Sequence, residues 1–263
     1  MKNYLFIVEG QHDIAVLTKY LKLNGYTKLK DIEEVPSFWK DLIPSKFPHG
    51  GDLLIRVPVP TFFKLNDKTV AIHDARGESN IVSETNNALM ILKDDKLELK
   101  AIGIFCDADN KTAIDTYKKQ MSLFEEEFED EFKPIIKNHS LGKVTQNQGY
   151  KFGVYIFPDN SNTGVLEDLL LEGAKAKYPE VLSHAESYII QIANEKPSYI
   201  QSGNLKGSKR KKMLVGVIAN ALKPGKANQV SIQDNSWINT ESMDNSPIQM
   251  EFRKFLDELL GDE

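Results

Sequence analysis

Apolar runs alternate with amphipathic stretches along this chain in the rhythm of an α/β protein. Tyr4-Leu5-Phe6-Ile7-Val8 is apolar throughout, as suits a strand covered on both faces, and it breaks at Glu9-Gly10-Gln11-His12-Asp13. A helix is predicted there over 12–23, with Ile14, Leu17, Tyr20 and Leu21 on one face and Gly25 ending it. The alternation then stops. Pro36, Pro44, Pro48 and Gly50-Gly51 mark an irregular insertion over 27–68, with a short amphipathic segment at 38–43. Residues 53–63 and 69–73 read as strands joined at Asn66-Asp67, and Pro58 and Pro60 put the first at a sheet edge. A helix over 79–92 leads to the apolar strand 99–106, which ends in Asp107. Another helix, over 112–132, carries Ile114, Tyr117, Met121, Phe124 and Phe128 on one face, its acidic run 125–131 being a solvated face. The strand KFGVYIF (151–157), a loop through Pro158-Asp159-Asn160 and a helix starting near Gly164 follow. Helices over 175–195, 211–222 and 249–260 close the pattern.

This order predicts a doubly wound, mainly parallel α/β sheet, with a core over 1–172, the insertion at 27–68 and a mostly helical extension over 173–263. With 41% hydrophobic and 27% charged residues among 263, the chain has the composition of a soluble globular protein. A net charge of -5 argues against a basic coat over the whole surface and leaves room for a local basic patch. That patch is 203–212, with Lys206, Lys209, Arg210, Lys211 and Lys212; a solvated loop and helix start is the simpler reading of the same residues. The single cysteine, Cys106, excludes an intrachain disulfide and, inside an apolar strand, reads as a buried structural thiol. The run 4–8 is too short for a leader, and no stretch of about 18 apolar residues offers a membrane span. A cytoplasmic protein is expected.

The chemistry sits where strands stop. Asp107 and Asp109 end the strand 99–106, and residues i and i+2 of an extended chain project the same way, roughly 7 Å apart. Two carboxylates so placed suit a hard divalent cation, in the region where open α/β sheets bind ligands. The same residues also suit a turn that caps the next helix. Glu9 and Asp13 form a second acidic cluster at the end of the first strand; Asp13 can point back to the strand tip or simply complement its helix dipole.

Taken together, Glu9-Gly10 and Asp107-Ala108-Asp109 resemble the TOPRIM superfamily, which carries a Glu, usually followed by Gly, after its first strand and Asp-x-Asp after its third. The Glu9-x-x-x-Asp13 spacing is closer to the branch holding the overcoming-lysogenisation-defect nucleases and small stand-alone TOPRIM-like proteins. That branch adds an acidic position after its fourth strand, for which Glu167, or less favourably Asp168, is the candidate. It also adds a late lysine. Lys206, Lys209 and Lys211 all stay open for that role, with Lys209 carried forward as the catalytic one. The resemblance covers about residues 1–172 well. It implies a nuclease acting on DNA or RNA, as in the effectors of antiviral defence modules, either acting alone, as a homodimer, or released by a partner. No G-x-x-x-x-G-K-[ST] loop is present, so any ATPase would be a separate chain.

The implied site gathers Glu9, Asp13, Asp107, Asp109 and Glu167 around Mg²⁺ or Mn²⁺, since oxygen-only ligands fit these ions better than Zn²⁺. Asp107 and Asp109 would hold the principal ion, with Glu9 and Asp13 sharing it or a second ion about 3.5–4 Å away. Glu9 is alternatively a general base or acid, and the lysine would neutralise charge on the phosphate. A glycosyltransferase is disfavoured because Glu9-Gly10 replaces a Pro-bearing first strand, and a haloacid-dehalogenase-type phosphatase because Lys111 stands where that chemistry needs Thr. A non-catalytic protein that binds nucleic acid or a partner is the competing class.

Overall fold

The computed structural model describes residues 1–46, 51, 58–92, 98–128, 133–147, 149–195, 198 and 206–261. In chain order its elements are β1 (Lys2–Val8), α1 (Gln11–Leu23), β2 (Thr27–Lys28), α2 (Ser37–Lys40), β3 (Thr61–Leu65), β4 (Lys68–Asp74), α3 (Ile81–Ile91), β5 (Leu99–Asp107), α4 (Ala113–Glu127) and α5 (Lys133–Lys137). Then come β6 (Val144–Asn147), β7 (Tyr150–Phe157), α6 (Leu166–Lys177), α7 (Pro179–Glu195), α8 (Gly207–Leu222), α9 (Asn228–Asp234), α10 (Thr240–Asn245) and α11 (Pro247–Leu260).

The four apolar runs become neighbours. The sheet order is β2-β3-β4-β1-β5-β7-β6, in which β4, β1, β5 and β7 are mutually parallel. Antiparallel pairs flank them, β3 with β2 and β4 on one side and β6 with β7 on the other. From β1 the chain moves out to β4 and later returns to β5 on β1's other side, so the order reverses between β1 and β5. That reversal opens a crevice at the carboxyl ends of these two strands.

Alternate residues of β1 serve opposite faces. Phe6 and Val8 pack with α1, α6, α8 and α11, while Leu5 and Ile7 pack with α2, α3 and α4. Gly103 and Gly153 are partners in the β5–β7 register and leave a bare strip of backbone. A Cβ at Gly103 would lie 2.6 Å from Leu259, and one at Gly153 2.8 Å from Phe255. Helix α11 seats in that strip, its Phe252 and Phe255 edge-on to Phe105.

The C-terminal part is therefore a layer of the core and not an extension. The expected boundary at 172/173 falls inside α6, whose Leu169, Leu170 and Ala174 share one buried cluster with α8 and α11. The predicted helix 175–195 is two helices, because Pro179 starts a new one at its first position. The predicted strand 53–63 reduces to β3, beginning just after Pro60, with residues 53–57 outside the described ones; β3 is next to the edge, covered by the two-residue β2. Residues 129–132 of the predicted helix 112–132 and 203–205 of the basic segment also lie outside them. Among the described residues no helix is long and apolar enough to cross a membrane.

Candidate metal centre

Glu9 is the first residue beyond β1, and its carboxylate reaches across the crevice to accept the Asp107 N–H at 2.7 Å. One bond thus ties the two strand ends on either side of the sheet reversal. Asp13, in the first turn of α1, turns back and accepts the Gly10 N–H at 3.0 Å. Asp107 in turn accepts the Leu166 N–H at 2.8 Å, so its charge lies at the amino end of α6. Glu167, the second residue of α6, is only 2% exposed. Its Oε1 is 3.2 Å from His12 Nδ1, and its Oε2 is buried with no hydrogen-bond partner. These four carboxylates, with Gln11, His12, Asn228 and Lys212, line an open cavity of about 360 Å³.

Crowding and burial set the proton affinities. Burial raises the Glu9 pKa to about 7; the Asp107 N–H and Lys212 oppose the rise, and Glu78 and Asp109 add to it. Asp13 is pushed well above the carboxylate range by burial and then by the charges of Glu9 and Glu167. Asp107 is likewise raised, by burial and then by Asp13 and Glu9. Burial would lower the Lys212 pKa, but Glu167, Asp107, Asp109 and Glu9 together push it up. Such a pocket favours positive charge, whether as protons or as a cation.

Among the described residues, no three His, Cys, Asp or Glu side chains stand close enough to grip an ion as a closed cage. Glu9, Asp13 and Asp107 each commit one oxygen to a backbone N–H, which leaves the second oxygen outside those bonds. Mg²⁺ keeps several waters and takes only one or two carboxylates directly, a demand that this spread set meets. The unpartnered Glu167 oxygen is a further acceptor lacking a positive neighbour in bonding reach.

The structure rearranges some of the expected assignments. Asp109 is exposed and does not line the cavity, because the strand ends at Asp107 and Asp109 takes a left-handed φ of 54°, its N–H donating to Gly164 O at 2.7 Å. The i, i+2 projection of an extended chain therefore fails, and Asp109 acts on the site only through its charge. Between the two candidates on α6, Glu167 enters the cavity, whereas Asp168 accepts the Val165 N–H at 2.9 Å and pairs with Lys211 at 2.7 Å. Lys209 is exposed and absent from the lining; the lysine brought to the carboxylates is Lys212. Arg210 pairs with Glu186 at 3.6 Å, and Lys206 is exposed at the start of α8. Cys106 is fully buried, and burial pushes its thiol pKa up, as befits a structural residue. His12 is a site residue that sequence reasoning missed, since its partner Glu167 lies 155 residues away.

The family model described as a protein of unknown function (DUF3226) matches residues 3–261. No curated protein matches the chain. A crystal structure of a hypothetical protein from Pyrococcus horikoshii OT3 is similar, with a TM-score of 0.59 and 16% identity over 98% of this chain and 95% of that one. At that identity the likeness concerns the α/β fold alone. Since the family match leaves out only the first two and last two residues, the chain belongs to the DUF3226 family.

Proposed function

We propose that this protein is a Mg²⁺- or Mn²⁺-dependent nuclease that hydrolyses phosphodiester bonds. The observation that carries the reading is the convergence of Glu9, Asp13, Asp107 and Glu167 on one cavity together with Lys212. Three of these carboxylates have raised proton affinity, and the fourth keeps an unpartnered buried oxygen. One or two of these four residues would hold the ion directly and the others through its waters, with the charge of Asp109 adding to theirs. A bound Mg²⁺ or Mn²⁺ supplies charge neutralisation at the phosphate and acidifies a water.

The chain's own residues do the rest. Lys212, exposed at the cavity, provides a positive charge where negative charge builds on the phosphate oxygens. Glu9, bonded to the Asp107 N–H, holds the two strand ends in register while its other oxygen serves as acceptor. A Cβ at Gly207 would lie 3.5 Å from Asn110 Oδ1, so α8 begins beside the turn that follows β5. Exposed Lys206 and Lys209 consequently stand near the approach to the cavity in a chain whose net charge is -5, which favours a polyanionic substrate. The TOPRIM resemblance points the same way, since its two motifs fall at the ends of the first and third parallel strands of this chain, β1 and β5.

Cleavage of supercoiled DNA, single-stranded DNA and tRNA, with Mg²⁺ or Mn²⁺ against EDTA, tests the proposal. The wild type is expected to cut at least one of these polymers only with the divalent ion, and Glu9→Gln and Asp107→Asn to cut at least about 10²-fold more slowly. A wild type inert on all three, or cutting that survives both substitutions, would contradict it.

A further inference from the structure

We infer that His12 is a positioning residue, which holds Glu167 by one oxygen and thereby turns the other towards the divalent ion. The inference rests on the divalent-ion reading above. Glu167 sits on the first turn of α6 and His12 on the first turn of α1, so the contact between His12 Nδ1 and Glu167 Oε1 at 3.2 Å joins two helices that start on opposite sides of the crevice.

Helix α6 fixes the Glu167 backbone but not its side-chain torsions. Nor does another polar neighbour hold its carboxylate by a hydrogen bond: Asp13 and Asp107 act on it as like charges, and Lys212 acts on it through charge. The only hydrogen-bond donor that meets its carboxylate among the described residues is the His12 ring. The proposed role requires the tautomer in which His12 carries its proton on Nδ1 and Glu167 Oε1 accepts it. A carboxylate left in this place with both oxygens unpartnered would swing away from Asp13 and Asp107, and the fourth acceptor of the site would be lost. Hydrogen bonds to metal-binding side chains of this kind are worth about 10–100-fold in metal affinity.

The test is a Mn²⁺ titration of the full chain followed by electron paramagnetic resonance, with thermal melts confirming that each variant is folded. Wild type is expected to bind Mn²⁺ and Asp107→Asn to bind it far more weakly. His12→Ala should weaken binding by about 10–100-fold. His12→Asn, whose side-chain amide replaces the Nδ1 donor, should stay within about threefold of wild type if the bond is what matters. If His12→Ala melts early, His12→Leu, which fills the space without a donor, takes its place. Because His12 acts through Glu167, the double variant with Glu167→Gln should bind no more weakly than the weaker single variant. His12→Ala binding like wild type while Asp107→Asn does not, or additive losses in the double variant, would overturn the inference alone. No Mn²⁺ binding by the wild type would overturn the divalent-ion reading and this inference with it.

Discussion

Gly173→Ala should cost about 3 kcal/mol, at the upper end for overpacking, and lower the melting temperature by roughly 6–12 °C. A Cβ at Gly173 would lie 1.7 Å from the Trp237 carbonyl oxygen and 2.9 Å from Gln249 Nε2, so α6 and the segment at Trp237 cannot keep their approach. The atoms in the way cannot yield cheaply. Gln249 is fully buried; its Nε2 donates to Leu169 O at 3.0 Å and to Trp237 O at 3.1 Å, while its Oε1 accepts from Ser242 at 2.6 Å. Moving α6 aside would break this buried polar knot and would also displace Glu167 at the other end of the helix. Scanning calorimetry measures the effect, and a melting temperature within 2–4 °C of wild type, the equivalent of about 1 kcal/mol, would show that α6 is not pinned here.

The second large effect comes from the carboxylates themselves. In the folded protein the Glu9 pKa is raised from 4.5 to about 7, so between those values the folded state holds a proton that the unfolded chain has lost. Metal-free protein therefore loses stability as the pH rises through this window, by about 3 kcal/mol from Glu9, or roughly 6–12 °C. Asp13 and Asp107 shift in the same direction. His139 works the opposite way: burial pushes its imidazole pKa from 6.5 down to about 4, so it adds stability as the pH climbs through that range. The difference between wild type and Glu9→Gln reports this carboxylate together with the part of the Asp13 and Asp107 shifts that its charge causes. In EDTA, the variant should gain on wild type steadily between pH 5 and about pH 7 and level off above it, and added Mg²⁺ should restore wild type while leaving the variant nearly unchanged. A difference that stays flat with pH would contradict this account.

What the sequence revealed and what it hid divide along physical lines. A buried parallel strand must be apolar on both faces, so the four central strands announce themselves, and Glu9 and Asp107 stand out as charges at the points where burial ends. Asp13 and Glu167 follow from helix starts after strand ends. The position of Asp109 depends on a single left-handed residue just after β5, which its residue type permits and does not demand. The choice of Lys212 over Lys209 depends on how α8 is rotated against α6, a matter of packing between helices far apart in sequence. The half-exposed β6, Val144–Asn147, lacks the apolar signal of the inner strands. The helical nature of the C-terminal part was readable, but its role in the core was not, because the strip that receives α11 is marked only by Gly103 and Gly153 on different strands.

Glu9, Asp13, Asp107 and Glu167 are proposed to hold a divalent cation at the reversal point of the sheet. Anomalous diffraction from crystals grown with Mn²⁺ tests this proposal most directly. A peak in this cavity within about 2.0–2.4 Å of oxygens from at least two of the four carboxylates is the predicted result. Mn²⁺ found only elsewhere, with this cavity free of anomalous density, would contradict it.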